Sequence, residues 1–200
     1  MARDERDLRL FIAIELPENT RRELARTIDA LRAAGAGDAL RWVRPEGIHI
    51  TLKFLGATPP AKLNAIESAL AEAVSGERTF ALRPDGVGSF GGRRNLRVVW
   101  IGVGGDTDEL ATLAARVEAA IAPFGYPTEQ RAFRAHLTLA RVREDAPPQE
   151  RERLHELLKA FDPPPFSAFH VKHVSLMQST LSRGGAVYRA LATFALEKSS

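Results

Sequence analysis

The sequence predicts an α+β protein in which two mostly antiparallel sheets carry four helices. Three observations point there. Four segments repeat apolar residues at helical spacing, and Gly or Pro ends each one. Between them lie short runs of alternating or continuous aliphatic residues, bounded by turn residues. One of those runs occurs twice, as His49-Ile50-Thr51-Leu52 and as His136-Leu137-Thr138-Leu139. With 44% hydrophobic and 26% charged residues in 200, the chain has ample material for a core.

The elements follow in order. Leu8, Leu10, Ile12 and Ile14 alternate with Arg9, Phe11, Ala13 and Glu15 as a first strand, which Pro17 ends. Thr20-Arg-Arg-Glu23 has a capping-box pattern and opens a helix bearing Leu24, Ile28 and Leu31; Gly35 and Gly37 stop it. Leu40 to Val43 is a short strand, and Arg44 to Gly47 turn into the first repeat strand, His49 to Leu55. Thr58 caps a second helix with Leu63, Ile66, Leu70 and Val74. Phe80 to Arg83 and Leu96 to Val103 read as strands joined by a flexible, glycine-rich loop with a basic lip. Asp106 opens a third helix with Leu110, Leu113, Val117 and Ile121. The second repeat strand, His136 to Val142, precedes a fourth helix with Leu154, Leu157, Leu158 and Phe161. Phe169/Val171 and Val174/Leu176 alternate out of phase, which predicts a bulge or bend near Lys172-His173. Gly184-Gly185 turns a last hairpin before Val187 to Leu196.

Composition excludes several classes. There is no cysteine, so disulfides, thiol nucleophiles and Cys-zinc sites are out. No apolar run reaches 18 residues, so no membrane partner is expected. Met1 to Asp7 is charged and carries no signal-peptide core, and a cytoplasmic location is the expectation. Only five of the 28 basic residues are Lys, and Arg suits phosphate oxygens, although net charge is a modest +3.

On a strand, side chains alternate faces. Each repeat therefore presents one imidazole and one hydroxyl on one face, with Ile50/Leu52 or Leu137/Leu139 in the core. If the two copies face one another, they make a cleft with two histidines and two threonines. Histidine exchanges protons near neutral pH. Across a phosphodiester, one imidazole can deprotonate the nucleophile while the other protonates the leaving oxygen. Thr51 and Thr138 would hydrogen-bond the non-bridging oxygens as charge builds on them. Spacing does not say which histidine is which. No Asp/Glu cluster stands at metal-ligand spacing, so neither metal nor other cofactor is implied.

Other residues are weaker candidates. Lys53 shares the parity of His49 and Thr51, so it is expected to point into the cleft toward phosphate. Arg141 has the parity of Leu137 and Leu139, and a cleft role needs the strand to end or twist there. Phe11 is either a base-stacking residue or a core one. His155 is expected at the surface, and zinc binding by His170 and His173 lacks a third ligand. Ser179 to Gly185 is a polar loop within reach of substrate, or a plain hairpin. Gly86-Val-Gly88-Ser-Phe-Gly91 matches a dinucleotide fingerprint in letters only, since a strand follows it where the fingerprint needs a helix.

Five stretches carry a family resemblance: Arg9 to Pro17, Arg41 to Glu46, His49 to Gly56, His136 to Arg141 and Gln178 to Gly185. With its two His-x-Thr-x motifs the sequence resembles the 2H phosphoesterase superfamily, and within it the bacterial and archaeal RNA 2′,3′-cyclic phosphodiesterases, also called 2′-5′ RNA ligases. The resemblance implies a bilobal fold with a central cleft: one domain over 1–200, of two pseudo-symmetric lobes with motifs at 49–52 and 136–139. It implies a monomer that hydrolyses RNA or nucleotide 2′,3′-cyclic phosphate to a 2′-phosphate. By that analogy His49 is the proton donor to the 3′-oxygen and His136 the acceptor that activates water, with Thr51, Thr138, Lys53 and Arg141 on the substrate. Reversible 2′-5′ ligation and non-catalytic binding of RNA ends are the alternatives. Ala135 replaces the proline that members often carry before the second histidine, a change at the strand's entry.

Overall fold

Hydrophobic periodicity sorts the chain into the helices and strands expected of it. The computed structural model describes residues 6–128, 132–182 and 185–198. Met1 to Glu5 of the charged start, and Arg183 and Gly184 of the last turn, lie outside them. The strands are β1 (Leu8–Glu15), β2 (Leu40–Trp42), β3 (His49–Thr58), β4 (Phe80–Phe90), β5 (Val98–Gly105), β6 (His136–Val142), β7 (Phe169–Val171), β8 (His173–Ser182) and β9 (Gly185–Ala195). The helices are α1 (Glu18–Ala33), α2 (Leu63–Val74), α3 (Thr107–Ile121) and α4 (Pro148–Ala160).

The two repeat strands stand at the centre of one hydrogen-bonded sheet, in the order β7-β4-β5-β6-β3-β1-β8-β9, with β2 also on β6. Every named pairing is antiparallel. The junction between the halves is thin: β3 and β6 share the single register pair Ile50↔Leu137. Four strands of that order lie on either side of the junction, so the sheet reads as two four-stranded units hinged at the motifs.

The helices cover one face. Leu24, Ile28 and Leu31 of α1, Ile66 and Leu70 of α2, Leu110, Leu113 and Val117 of α3, and Leu154 and Leu158 of α4 join Ile12, Ile50, Leu137 and Leu139 in one buried core. A separate cluster of Phe11, Ala13 and Met177, with Tyr188 against it, lies on the opposite face.

Several details differ from the expectations. α1 begins at Glu18 after Pro17, and Thr20 is buried within it, because packing claims that side chain. Thr58 ends β3 and bonds to Tyr126, so it does not cap α2. The glycine-rich loop is strand: β4 runs to Phe90 in register with β5. Its basic lip is neutralised, since Arg94 meets Glu152 at 2.6 Å and Arg93 meets Glu156 at 3.4 Å on α4. Ser179 to Ser182 continue β8, paired with β9 out to Ser182↔Gly185, which is the plain-hairpin alternative of the two expected. The predicted break does fall at Lys172: β7 pairs with β4, and β8 crosses to β1.

Candidate active site

The Ile50↔Leu137 pair decides what faces what. Paired residues of an antiparallel ladder point to the same side, and both of these are fully buried in the core. Their neighbours His49, Thr51, His136 and Thr138 therefore share the other face, and all four are half-buried there.

Both strands then break parity at the same letter. Ala13 pairs with Thr51 but Ile12 with Lys53, which leaves Leu52 as an extra residue. Trp100 pairs with Thr138 but Val99 with Ala140, which leaves Leu139 extra. Each is a β-bulge, two residues against one. After the bulge the next residue faces the core and the one beyond returns to the motif face. The first seven residues of β3 and β6 accordingly show the same order of buried and accessible positions.

This corrects the expectation for Lys53. It is 5% exposed and points away from the motif face, with its Nζ 2.6 Å from both Glu118 Oε1 and the Pro127 carbonyl. The same shift returns Arg141, which is exposed, to the side of His136 and Thr138. In β3 the equivalent position is Phe54, 62% exposed.

The imidazoles are held alike. His49 Nδ1 lies 2.8 Å from the Gly47 carbonyl, and His136 Nδ1 lies 2.8 Å from that of Arg134. A carbonyl only accepts, so Nδ1 carries the proton in both. That leaves each Nε2 free to take or give a proton. Phe11 stacks on His49 at 4.7 Å, and Tyr188 meets it edge-on at 5.2 Å. Gly47 makes room for that tyrosine, since a Cβ there would lie 3.2 Å from its ring. Phe11 is thus buried and on the motif face, backing the imidazole. Phe90 meets His136 edge-on at 4.8 Å, and Arg134 lies over the Trp100 ring at 4.6 Å.

Burial pushes both histidines below their ordinary value of 6.5, and it is the largest cause for each. The remaining charges differ. Around His49 the Gly47 carbonyl and the Glu15 carboxylate favour the protonated form, and a charge on His136 opposes it. Around His136 the Arg134 carbonyl favours protonation, while the Arg134 and Arg141 guanidinia oppose it. Glu15 is the cross-strand partner of His49, and its carboxylate accepts from buried Ser175 at 2.7 Å.

His155 is half-buried on α4. His170 and His173 lie on different strands, and His173 sits 3.8 Å from Glu15. Among the described residues no group of three His, Cys, Asp or Glu is placed to hold a metal ion. Sequence reasoning missed Glu15, Phe54, Phe90, Trp100, Arg134 and Tyr188. Only Glu15 carried a local signal, as a polar residue on the first strand's alternating face.

A family model described as the 2′-5′ RNA ligase superfamily matches residues 20–183. An RNA 2′,3′-cyclic phosphodiesterase of Methanothermobacter thermautotrophicus is 32% identical over 189 residues, which are 94% of this chain and 99% of the relative. One of Thermotoga maritima is 30% identical, covering 92% and 93%. Among solved structures, E. coli LigT complexed with 3′-AMP superposes with a TM-score of 0.75 at 28% identity, over 95% of this chain and 98% of that one. The protein TT0787 of Thermus thermophilus gives 0.78 at 26%, over 96% and 100%. The α+β fold is that of these neighbours, and the chain belongs to the 2′-5′ RNA ligase superfamily.

Proposed function

We propose that this chain hydrolyses RNA 2′,3′-cyclic phosphate ends to 2′-phosphates without a metal ion, as one domain of two pseudo-symmetric lobes acting as a monomer. The observation that carries the reading is the pair of Nδ1-anchored imidazoles with their threonines on one face of the β3/β6 junction. The names of the relatives support the substrate class.

The reaction runs as follows. His136 Nε2 takes a proton from water as the oxygen attacks phosphorus. The bond from phosphorus to the 3′-oxygen breaks, and His49 Nε2 gives its proton to that oxygen. The products are a 2′-phosphate and a 3′-hydroxyl. Thr51 and Thr138 hydroxyls hydrogen-bond the non-bridging oxygens as their charge grows. The division of labour follows the charges. The acid must hold a proton, and Glu15 favours that at His49. The base must be neutral, and Arg134 and Arg141 favour that at His136. Arg141 binds substrate phosphate at the mouth of the site. Lys53 has no part in binding, since Glu118 and Pro127 occupy it.

The test is product analysis on a 2′,3′-cyclic nucleotide in EDTA. Wild type should yield only the 2′-phosphate, and His49→Ala or His136→Ala should each lose about 10²–10⁴-fold in rate. Full activity in either variant, or loss of activity with EDTA, would refute the mechanism.

A further inference from the structure

The bulge that returns Arg141 to the motif face also sets it against a second arginine. In the β2–β6 ladder Arg41 pairs directly with Arg141, and both side chains are exposed. The flanking pairs, Leu40↔Val142 and Trp42↔Ala140, turn to the core, so the two guanidinia share the face that bears His136 and Thr138. Like charges directly opposite in an antiparallel pair repel. Among the described residues neither arginine has an ion pair or hydrogen bond to offset this. Asp145 feels the charge of Arg41 but is engaged by Arg143 through two bonds of 3.0 Å. Two facing, unengaged guanidinia match the spread oxygens of a phosphodiester. They lie three residues past Thr138, roughly 8–10 Å along the strand. That offset sets the pair beyond the phosphate that the threonines hold, on the side from which the next one in a chain can be reached.

We propose that Arg41 and Arg141 together bind the phosphodiester on the 5′ side of the terminal nucleotide, so that the site selects an oligoribonucleotide end over a cyclic mononucleotide. The inference rests on the hydrolase reading above.

The experiment compares kcat/KM on adenosine 2′,3′-cyclic phosphate with that on a diadenylate bearing the same cyclic end. Wild type should prefer the dinucleotide. In Arg41→Ala that preference should fall about ten- to a hundredfold, the loss expected of a hydrogen bond between charged groups. Arg41→Lys, which keeps the charge but not the fork, should recover part of it. Arg22→Ala on the remote α1 removes the same charge and should leave the preference as it was. An unchanged preference in Arg41→Ala, or an equal fall in Arg22→Ala, overturns the proposal. Were wild type inactive on both substrates, the hydrolase reading alone would fail. Binding of a diadenylate ending in a 2′-phosphate, followed by fluorescence anisotropy, then decides the arginine pair: weaker binding by Arg41→Ala supports it, and equal binding refutes it.

Discussion

Replacing Lys53 with Met separates the two places where that side chain can act. In the structure its ammonium donates to Glu118 Oε1 and to the Pro127 carbonyl, both at 2.6 Å, and it is 5% exposed. Methionine fills much the same volume but donates nothing. Each lost bond to a charged group is worth about 1.5–3 kcal/mol. Removing one partner of a buried ion pair typically costs about 3–5 kcal/mol. Glu118 retains 26% side-chain exposure, so water can solvate its carboxylate and the lower part of that range applies. A loss of about 3–4 kcal/mol follows, or roughly 6–16 °C in Tm for a chain of this length. The assay is a thermal melt beside steady-state kinetics on a 2′,3′-cyclic nucleotide at a temperature where both proteins are folded. KM and kcat should stay within about twofold of wild type, since no bond to substrate is lost. An unaltered Tm with KM raised about tenfold would place the ammonium on the phosphate and refute the bulge argument.

Four further outcomes are expected. Glu15→Gln removes the carboxylate that favours protonated His49, so the alkaline limb of the kcat/KM profile should move to lower pH while the acid limb stays; movement to higher pH would be the wrong sign. Because burial holds both imidazoles below 6.5, the wild-type optimum should lie on the acid side of that value, as a pH series on the free enzyme will show. Gly88→Ala drives a Cβ into the Trp100 ring, and overpacking there should cost about 1–3 kcal/mol by denaturant titration. Supplying an RNA 5′-hydroxyl with a cyclic-phosphate partner should give some 2′-5′-joined product, because the 5′-hydroxyl can replace water as the nucleophile while the same two proton transfers occur; gel analysis after digestion with a ribonuclease specific for 3′-5′ linkages detects it.

Much of the architecture could be read from the chain. The helical stripes of Leu24/Ile28/Leu31 and Leu110/Leu113/Val117 are buried as their period requires. Residues 49–52 and 136–139 alternate faces as strand geometry demands. The misreadings share one cause. Thr20, Thr58 and the glycines of β4 have strong local preferences for caps and turns; burial overrode that of Thr20, and pairing with distant segments overrode the others.

The sequence alone determined that two imidazoles and two hydroxyls would sit in matched strand settings, because four residues are too few for parity to drift. Tertiary structure alone decided what surrounds them. A bulge is a mismatch of count between two strands, and neither strand encodes the count by itself. The extra residues at Leu52 and Leu139 turn Lys53 inward and Arg141 outward, against the alternation written in the chain. Sheet neighbours far apart in sequence then bring Glu15 beside His49 and Arg41 beside Arg141. In the proposed mechanism the cross-strand Glu15 carboxylate makes His49 the acid, while Arg134 and Arg141 make His136 the base.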